Sequence, residues 1–239
     1  MIAPSTTVSR SVRVAEKFGD TVQGEGPGTG IPACFIRFWL CNLVCSDCDT
    51  PYTWDTTRFD AGVESHCESV EDLLAWALDR PEELVVVTGG EPLIQMAGLT
   101  ALVRGLRAAR RSVEIETNGT IAPSRELVAA RPYFNVSPKL SRFGAGMPPA
   151  RRLVPDVLRA FVATGRARFK FVVSEPCEVA EIAALEAAYG LIDISVMPEG
   201  TTAEKVLAGM RALEGPVRER GYRLGTRLHV LLWGDERGR

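Results

Sequence analysis

The chain has 239 residues, 46% of them hydrophobic and 24% charged, the balance of a globular protein with enough apolar matter for a packed core. A net charge of −2 and a pI near 5.9 exclude a global basic field that would draw it onto nucleic acid or anionic lipid, though a few local arginines suffice for a small anion. No apolar run approaches the roughly 20 residues that span a bilayer, and Met1 to Arg13 lacks an apolar signal core, so a cytoplasmic protein with reduced thiols is expected.

In chain order, Ala33–Phe38 reads as a strand running into a cysteine-rich loop. A helix is expected at about Ser69–Asp79, with Ser69 as cap and Glu71 and Asp72 near its N-terminus. Leu84–Val87 is a continuous apolar run, as in a strand buried on both faces. Gly98–Arg110 has helical spacing, Val113–Glu116 is a strand, Ser124–Ala130 a short helix and Tyr133–Val136 a fourth strand. The second half predicts a helix over Arg151–Thr164, a strand at Phe169–Val173 and an alanine-rich helix at Cys177–Tyr189. A strand at Ile192–Val196, a helix at Ala203–Glu214 and a closing strand at Leu228–Leu232 complete it. Gly144–Pro149 reads as a loop and His66 as a loop residue.

This alternation predicts an α/β fold, a parallel sheet with helices outside, as an open sheet or a full or partial barrel in a single domain over 1–239. Ligands of such folds sit at the C-terminal ends of the strands. Five unusual polar segments fall there: Cys41–Thr50, Thr88-Gly89-Gly90-Glu91-Pro92, Glu116-Thr117-Asn118-Gly119, Ser137-Pro138-Lys139 and Met197-Pro198-Glu199-Gly200. Their convergence on one rim is the pattern of an active site.

Three of the six cysteines, Cys41, Cys45 and Cys48, lie in a C-x3-C-x2-C array. Three thiolates on one loop can ligate three irons of a cubane and leave the fourth open, whereas electron-transfer clusters take four cysteines. The inorganic rival is zinc, which wants four ligands; only His66 and His229 exist, without paired spacing, though a fourth ligand from Cys67 or His66 stays open. Cys34, inside a strand, reads as a small buried hydrophobe.

The array resembles the signature of the radical S-adenosylmethionine (SAM) superfamily, and Gly89-Gly90-Glu91-Pro92 resembles its GGEP loop, which binds the SAM amino group. Over nearly the whole chain the likeness narrows to the 7-carboxy-7-deazaguanine synthase family. Thr21-Val22-Gln23-Gly24-Glu25-Gly26 looks like its TxQGEG segment, Arg37 stands four residues ahead of the first cysteine, and Cys48-Asp49-Thr50 matches its CDT ending. Glu116-Thr117-Asn118-Gly119, Ser137-Pro138-Lys139 and His229-Val230-Leu231-Leu232-Trp233-Gly234 complete the set.

The resemblance implies a partial (β/α)6 barrel of the radical SAM type and conversion of 6-carboxy-5,6,7,8-tetrahydropterin to 7-carboxy-7-deazaguanine with loss of ammonia, on the path to queuosine. It implies a [4Fe–4S] cluster on Cys41, Cys45 and Cys48, SAM, and Mg²⁺ on the Thr50 hydroxyl. Val22, Gln23, Gly24, Glu25, Arg37, Thr88 and Glu116 would contact the pterin, with Arg37 and Glu116 acting on it most directly. Arg37 would fork onto the pterin carboxylate, although a strand arginine also pairs readily with a neighbouring carboxylate. SAM would meet Asp47, Cys48, Asp49, Gly90, Glu91, Ser137, Pro138 and Lys139, with Met197, Pro198 and Glu199 as a further loop. A flavodoxin or ferredoxin would supply the electron, and a homodimer is expected. Three other readings stand beside it: a glycyl-radical-enzyme activase, an enzyme acting on a related pterin, and a non-catalytic zinc-binding module. The tail after Trp233 would either fold over the substrate or fray.

Overall fold

Alternation along each strand decides which side chains meet the helices and which face inward. The computed structural model describes residues 11–239, so the N-terminal reading over residues 1–10 lies outside the described residues. Among them nine strands form one sheet: β1 (Ser11–Val22), β2 (Pro32–Phe38), β3 (His66–Ser69), β4 (Leu84–Gly89), β5 (Ser112–Thr117), β6 (Tyr133–Val136), β7 (Ala167–Val173), β8 (Ile194–Pro198) and β9 (Arg223–Leu224). Their order is β3-β1-β2-β4-β5-β6-β7-β8-β9, and the two ends do not meet. β1 pairs antiparallel with both β2 and β3, while every pairing from β2 to β9 is parallel. The result is the expected partial barrel, extended at one edge by an antiparallel pair and at the other by a two-residue strand.

On the outer face Cys34, Ile36, Phe38, Val85, Val87, Val113, Ile115, Phe169 and Phe171 are buried in one core with Leu73, Leu99, Leu102, Phe161 and Ile182 of the helices. Each such Leu, Ile or Phe contributes about 1.5–3 kcal/mol by leaving water. On the inner face a smaller cluster of Ala33, Phe35, Leu84, Val86 and Phe18 closes the bottom of the barrel. Above it the inner positions turn polar, and the site begins there. Helix ends follow local chemistry: Ser69 accepts from the Asp72 N–H at 3.0 Å, and Gly190 at φ +68 ends the helix Glu178–Tyr189.

Several predicted elements differ. Leu228–Leu232, expected as a closing strand, is part of a helix, Leu228–Trp233, because an apolar run alone does not distinguish the two. The Leu228 N–H donates to the Gly24 carbonyl at 2.8 Å, so this segment docks on the β1–β2 loop instead of adding to the sheet. The helix expected over Arg151–Thr164 is two, Pro149–Arg152 and Pro155–Ala163, since Leu153 and Val154 are extended ahead of Pro155. The helix from Ala203 continues through Pro216 to Glu219. His66 lies in edge strand β3, and β1 was not foreseen, its Gly19-Asp20 irregularity interrupting the alternation. No helix among the described residues is long and apolar enough to cross a membrane.

Candidate active site

A cavity of about 650 Å³ opens over the C-terminal ends of the strands. It collects Val22 at the end of β1, the β1–β2 loop (Gln23, Gly24, Glu25), the cysteine loop (Cys41, Cys45, Asp47, Cys48, Asp49, Thr50) and the strand-end residues Arg37, Thr88 and Glu116. Gly90, Ser137, Lys139 and Glu199 line it as well, so most of the residues singled out in sequence, up to 177 positions apart, meet in one place.

The cysteine loop leaves β2 through Leu40, a non-glycine residue at φ +94, whose N–H donates to the Thr53 carbonyl at 2.9 Å. Cys41, Cys45 and Cys48 share an apolar collar of Leu43, Phe143 and Met147. Amide and indole donors reach two sulfurs: the Leu43 N–H lies 3.4 Å from Cys41 Sγ, and Trp54 Nε1 lies 3.4 Å from Cys48 Sγ. Burial pushes the Cys41 thiol up to about 12, so the bare thiol keeps its proton, and a metal taking this sulfur would displace it. Among the described residues no three His, Cys, Asp or Glu side chains already converge on one metal-sized point. The donor set nonetheless fits an iron–sulfur cubane: three thiols on one wall, a dry collar, N–H donors to sulfur, and Cys34, Cys67 and Cys177 all away from the cavity. Asn42 ties the loop to the β5 end, accepting from Asn118 Nδ2 at 2.9 Å and donating to Thr120 at 2.8 Å.

Behind the loop stands the Gly89-Gly90 pair. A Cβ on Gly89 would overlap the Phe38 carbonyl oxygen, and one on Gly90 the carbonyl of Leu40. The glycines therefore admit the cysteine loop itself, as well as leaving backbone open to a ligand. Glu91 does not line the cavity. It is fully buried, accepting from the Leu93 and Asn118 N–H groups at 3.0 and 2.7 Å and from the Thr117 hydroxyl at 2.9 Å. Burial raises its carboxyl to about 7 despite those donors. Its place is a brace between the β4 and β5 loops. Pro138, Met197 and Pro198 also stand outside the main cavity; Met197 is buried, while Pro198 lines a neighbouring hollow that meets the first at Asp47 and Glu199.

The inner-face positions of successive strands make a row. Arg37 of β2 pairs in register with Thr88 of β4, and the Thr88 hydroxyl donates to Glu116 of β5 at 2.8 Å. Lys170 of β7, which sequence reasoning missed, donates to Glu116 Oε1 at 2.9 Å and to Glu25 Oε2 at 2.7 Å. Its signal was available: a lysine between Phe169 and Phe171 in a strand whose alternate face is core. Arg227 then donates to Glu25 Oε1 at 3.0 Å and to the Gly200 carbonyl at 2.7 Å, and pairs with Asp49. Burial alone would raise the Glu25 carboxyl, but the charges of Lys170, Arg227 and His229 hold it well below the usual carboxylate range. Gly24 is required beside it, since a Cβ there would run into the His229 ring.

Arg37 is not free. Its Nε donates to Glu16 Oε1 at 2.7 Å, and the Tyr52 hydroxyl donates to the same oxygen at 2.7 Å. Glu16 Oε2 accepts from Arg237 at 2.7 Å, and Arg237 also donates to Glu64 at 2.8 Å while lying 3.9 Å over the Tyr52 ring. Of the two readings open for the tail, folding over the site is the one seen: residues 235–239 line the cavity. Thr50 lines it too, its hydroxyl 3.8 Å from Cys48 Sγ, and Lys139 Nζ donates to Ser137 Oγ at 3.0 Å.

A family model described as a 4Fe-4S single cluster domain matches residues 22–124, the stretch that holds all three cysteines. The chain is 39% identical to the 7-carboxy-7-deazaguanine synthase of Pyrobaculum aerophilum, over 95% of this chain and 97% of that protein. It is 38% identical to the enzyme of the same name from Hyperthermus butylicus, over 84% and 82%. Among solved structures it is similar to QueE from Escherichia coli, with a TM-score of 0.68, 28% identity, and 92% and 95% of the two chains covered. Streptococcus suis SuiB shares the fold alone, at a TM-score of 0.57 and 16% identity over 80% of this chain and 48% of that one. A partial barrel with a C-x3-C-x2-C loop and a glycine-paired loop at its mouth defines a radical SAM enzyme. Within that class, the chain belongs to the 7-carboxy-7-deazaguanine synthase family.

Proposed function

We propose that this chain converts 6-carboxy-5,6,7,8-tetrahydropterin to 7-carboxy-7-deazaguanine and ammonia. The observation that carries the reading is that the cysteine triad and the Arg37–Thr88–Glu116 row open on one cavity in a chain of this family. Held by Cys41, Cys45 and Cys48 and by the loops beside them, the cluster and SAM would supply one-electron radical chemistry directed at C6 of the pterin.

What the chain itself does is bind, orient and exclude water. Cys41, Cys45 and Cys48 would hold the cluster, with the Leu43 amide and the Trp54 indole as sulfur donors. Ser137, Lys139, Gly90 and the Asp47–Asp49 turn would receive SAM, Lys139 facing its carboxylate. Arg37, its Nε fixed by Glu16, keeps further N–H groups for the pterin carboxylate. Glu116 and Glu25, acceptors on the inner face, suit the amino and ring N–H groups of the pyrimidinone edge, and the Thr88 hydroxyl orients Glu116. Thr50 would give one oxygen to Mg²⁺, the rest coming from substrate and water, in keeping with that ion's reluctance to shed its shell. A flavodoxin- or ferredoxin-like carrier as reductant and a homodimer complete the proposal.

Anaerobic reconstitution with iron and sulfide, then incubation with dithionite, SAM, Mg²⁺ and the pterin, tests it by mass spectrometry. Formation of 7-carboxy-7-deazaguanine with little net loss of SAM is the expected result. 5′-Deoxyadenosine without that product would move the substrate elsewhere, and a colourless, zinc-bound protein would overturn the reading.

A further inference from the structure

Lysines are almost never buried unless paired, and Lys170 is 5% exposed in the middle of β7. Its neighbours in sequence, Phe169 and Phe171, pack in the outer core, so the lysine stem crosses to the inner face alone. The chain turn at Gly26 lies over that stem, Lys170 Cδ being the nearest atom to where a Gly26 Cβ would stand. The ammonium then meets two carboxylates from separate elements, Glu25 of the β1–β2 loop at 2.7 Å and Glu116 of β5 at 2.9 Å. Each carboxylate has a second anchor on its other oxygen: Arg227 Nε on Glu25 at 3.0 Å and the Thr88 hydroxyl on Glu116 at 2.8 Å. A carboxylate has about four lone-pair sites, so each keeps acceptors for a ligand in the cavity that both line.

We propose that Lys170 is a positioning residue for the pterin: its ammonium, clamped between Glu25 and Glu116, sets the spacing and orientation of the two carboxylates that read the nitrogen-rich edge of the substrate. The physical need is plain. Two carboxylates that share one ammonium are close enough to repel, and a bare pair relieves the repulsion by taking up a proton. A protonated member would present an O–H toward a ligand edge that itself presents N–H donors. With the ammonium in place the repulsion is offset and the pair faces the cavity as acceptors. The groups facing Lys170 from the packed elements are Glu25 and Glu116, with Arg227, His229 and Glu114 in the surrounding shell. Burial would lower the lysine, but its two carboxylate partners raise it instead, so it acts as a fixed charge and not as a proton donor.

The inference rests on Glu25 and Glu116 being pterin contacts, and the test separates the two claims. Pterin binding to cluster-loaded, unreduced protein with SAM is measured by titration calorimetry from mildly acid to neutral pH, for wild type, Lys170→Arg, Lys170→Met and Glu116→Gln. In Lys170→Arg the charge stays but the longer planar group moves the carboxylates, so Kd rises about tenfold with no added loss of binding toward mildly acid pH. In Lys170→Met the affinity falls further, and a loss of binding toward mildly acid pH, absent from wild type, appears as Glu25 loses the nearest of the cations that hold it ionised. A buried carboxylate pair stripped of its cation can prevent folding; if Lys170→Met does not accumulate, Lys170→Arg decides alone. Wild-type affinity in Lys170→Arg, with Glu116→Gln weakened, overturns the role of Lys170. Wild-type affinity in Glu116→Gln overturns the reading beneath it, and the proposal with it.

Discussion

At the scale of single residues, the Arg37–Glu16 pair decides how an anion is received. Glu16 takes the Nε edge of the guanidinium and is itself fixed by Tyr52 and Arg237, so Arg37 cannot swing away and still keep its partner. A lysine would have to choose between Glu16 and substrate, lacking the fork. Arg37→Lys should therefore keep its cluster absorbance but lose at least about tenfold in kcat/KM for the pterin, read by steady-state assay. Glu25 yields a prediction about stability. Its carboxyl lies well below the usual range in the fold, so its contribution is present above the ordinary carboxylate pKa of about 4.3 and is lost as pH falls through the depressed value. Melting temperatures measured from neutral to acid pH should fall more steeply on the acid side for wild type than for Glu25→Gln. Residue-scale legibility was uneven. Thr88 and Glu116 were readable because strand ends are a local signal, and Arg37 because the family resemblance fixes its place ahead of the first cysteine. Glu16, Lys170 and Arg227 were not, because their meaning lies in partners far off in sequence: Lys170 meets Glu25 145 positions away, and Arg227 meets it 202 positions away.

Among elements, the loop after β4 shows how little room the barrel mouth leaves. Gly90 sits against the carbonyl of Leu40 and the Cβ of Cys41, so any side chain there pushes on the loop that carries the thiols. Gly90→Ala should lower iron and sulfide content after reconstitution and destabilise the fold by about 1–3 kcal/mol, checked by metal analysis and denaturant unfolding. The same loop shows how Glu91, read from sequence as a SAM contact, is held by its protein neighbours. A carboxylate next to two glycines looks like a ligand, yet β5 brings Thr117 and the Asn118 amide onto it and turns it into a brace. The error at Leu228–Leu232 has the opposite origin. Five consecutive residues with one polar member carry no period; the Leu231 N–H bond to the Arg227 carbonyl makes the segment a helix, and the Leu228 N–H bond to Gly24 docks it.

In the molecule as a whole, the open edge of the sheet leaves the mouth to be finished by segments from both halves of the chain. The tail does part of this: Arg237 clasps Glu16 and Glu64 and lies on Tyr52. Half-exposed ion pairs of this kind are worth no more than about 1 kcal/mol each, so Arg237→Ala should leave the melting temperature within a few degrees of wild type. Its KM for the pterin should rise several-fold, because Glu16 is then released to compete for Arg37.

The run from Asp49 through Arg227, Glu25 and Lys170 to Glu116 alternates in sign at every step. Neighbouring opposite charges cancel in pairs and leave one net negative charge among the five, so the run projects little field into solvent although it is crowded with ions. An incoming anion is then captured by contact and is not steered from afar. Raising the ionic strength, which collapses long-range attraction, should change the second-order rate of pterin capture by less than about twofold.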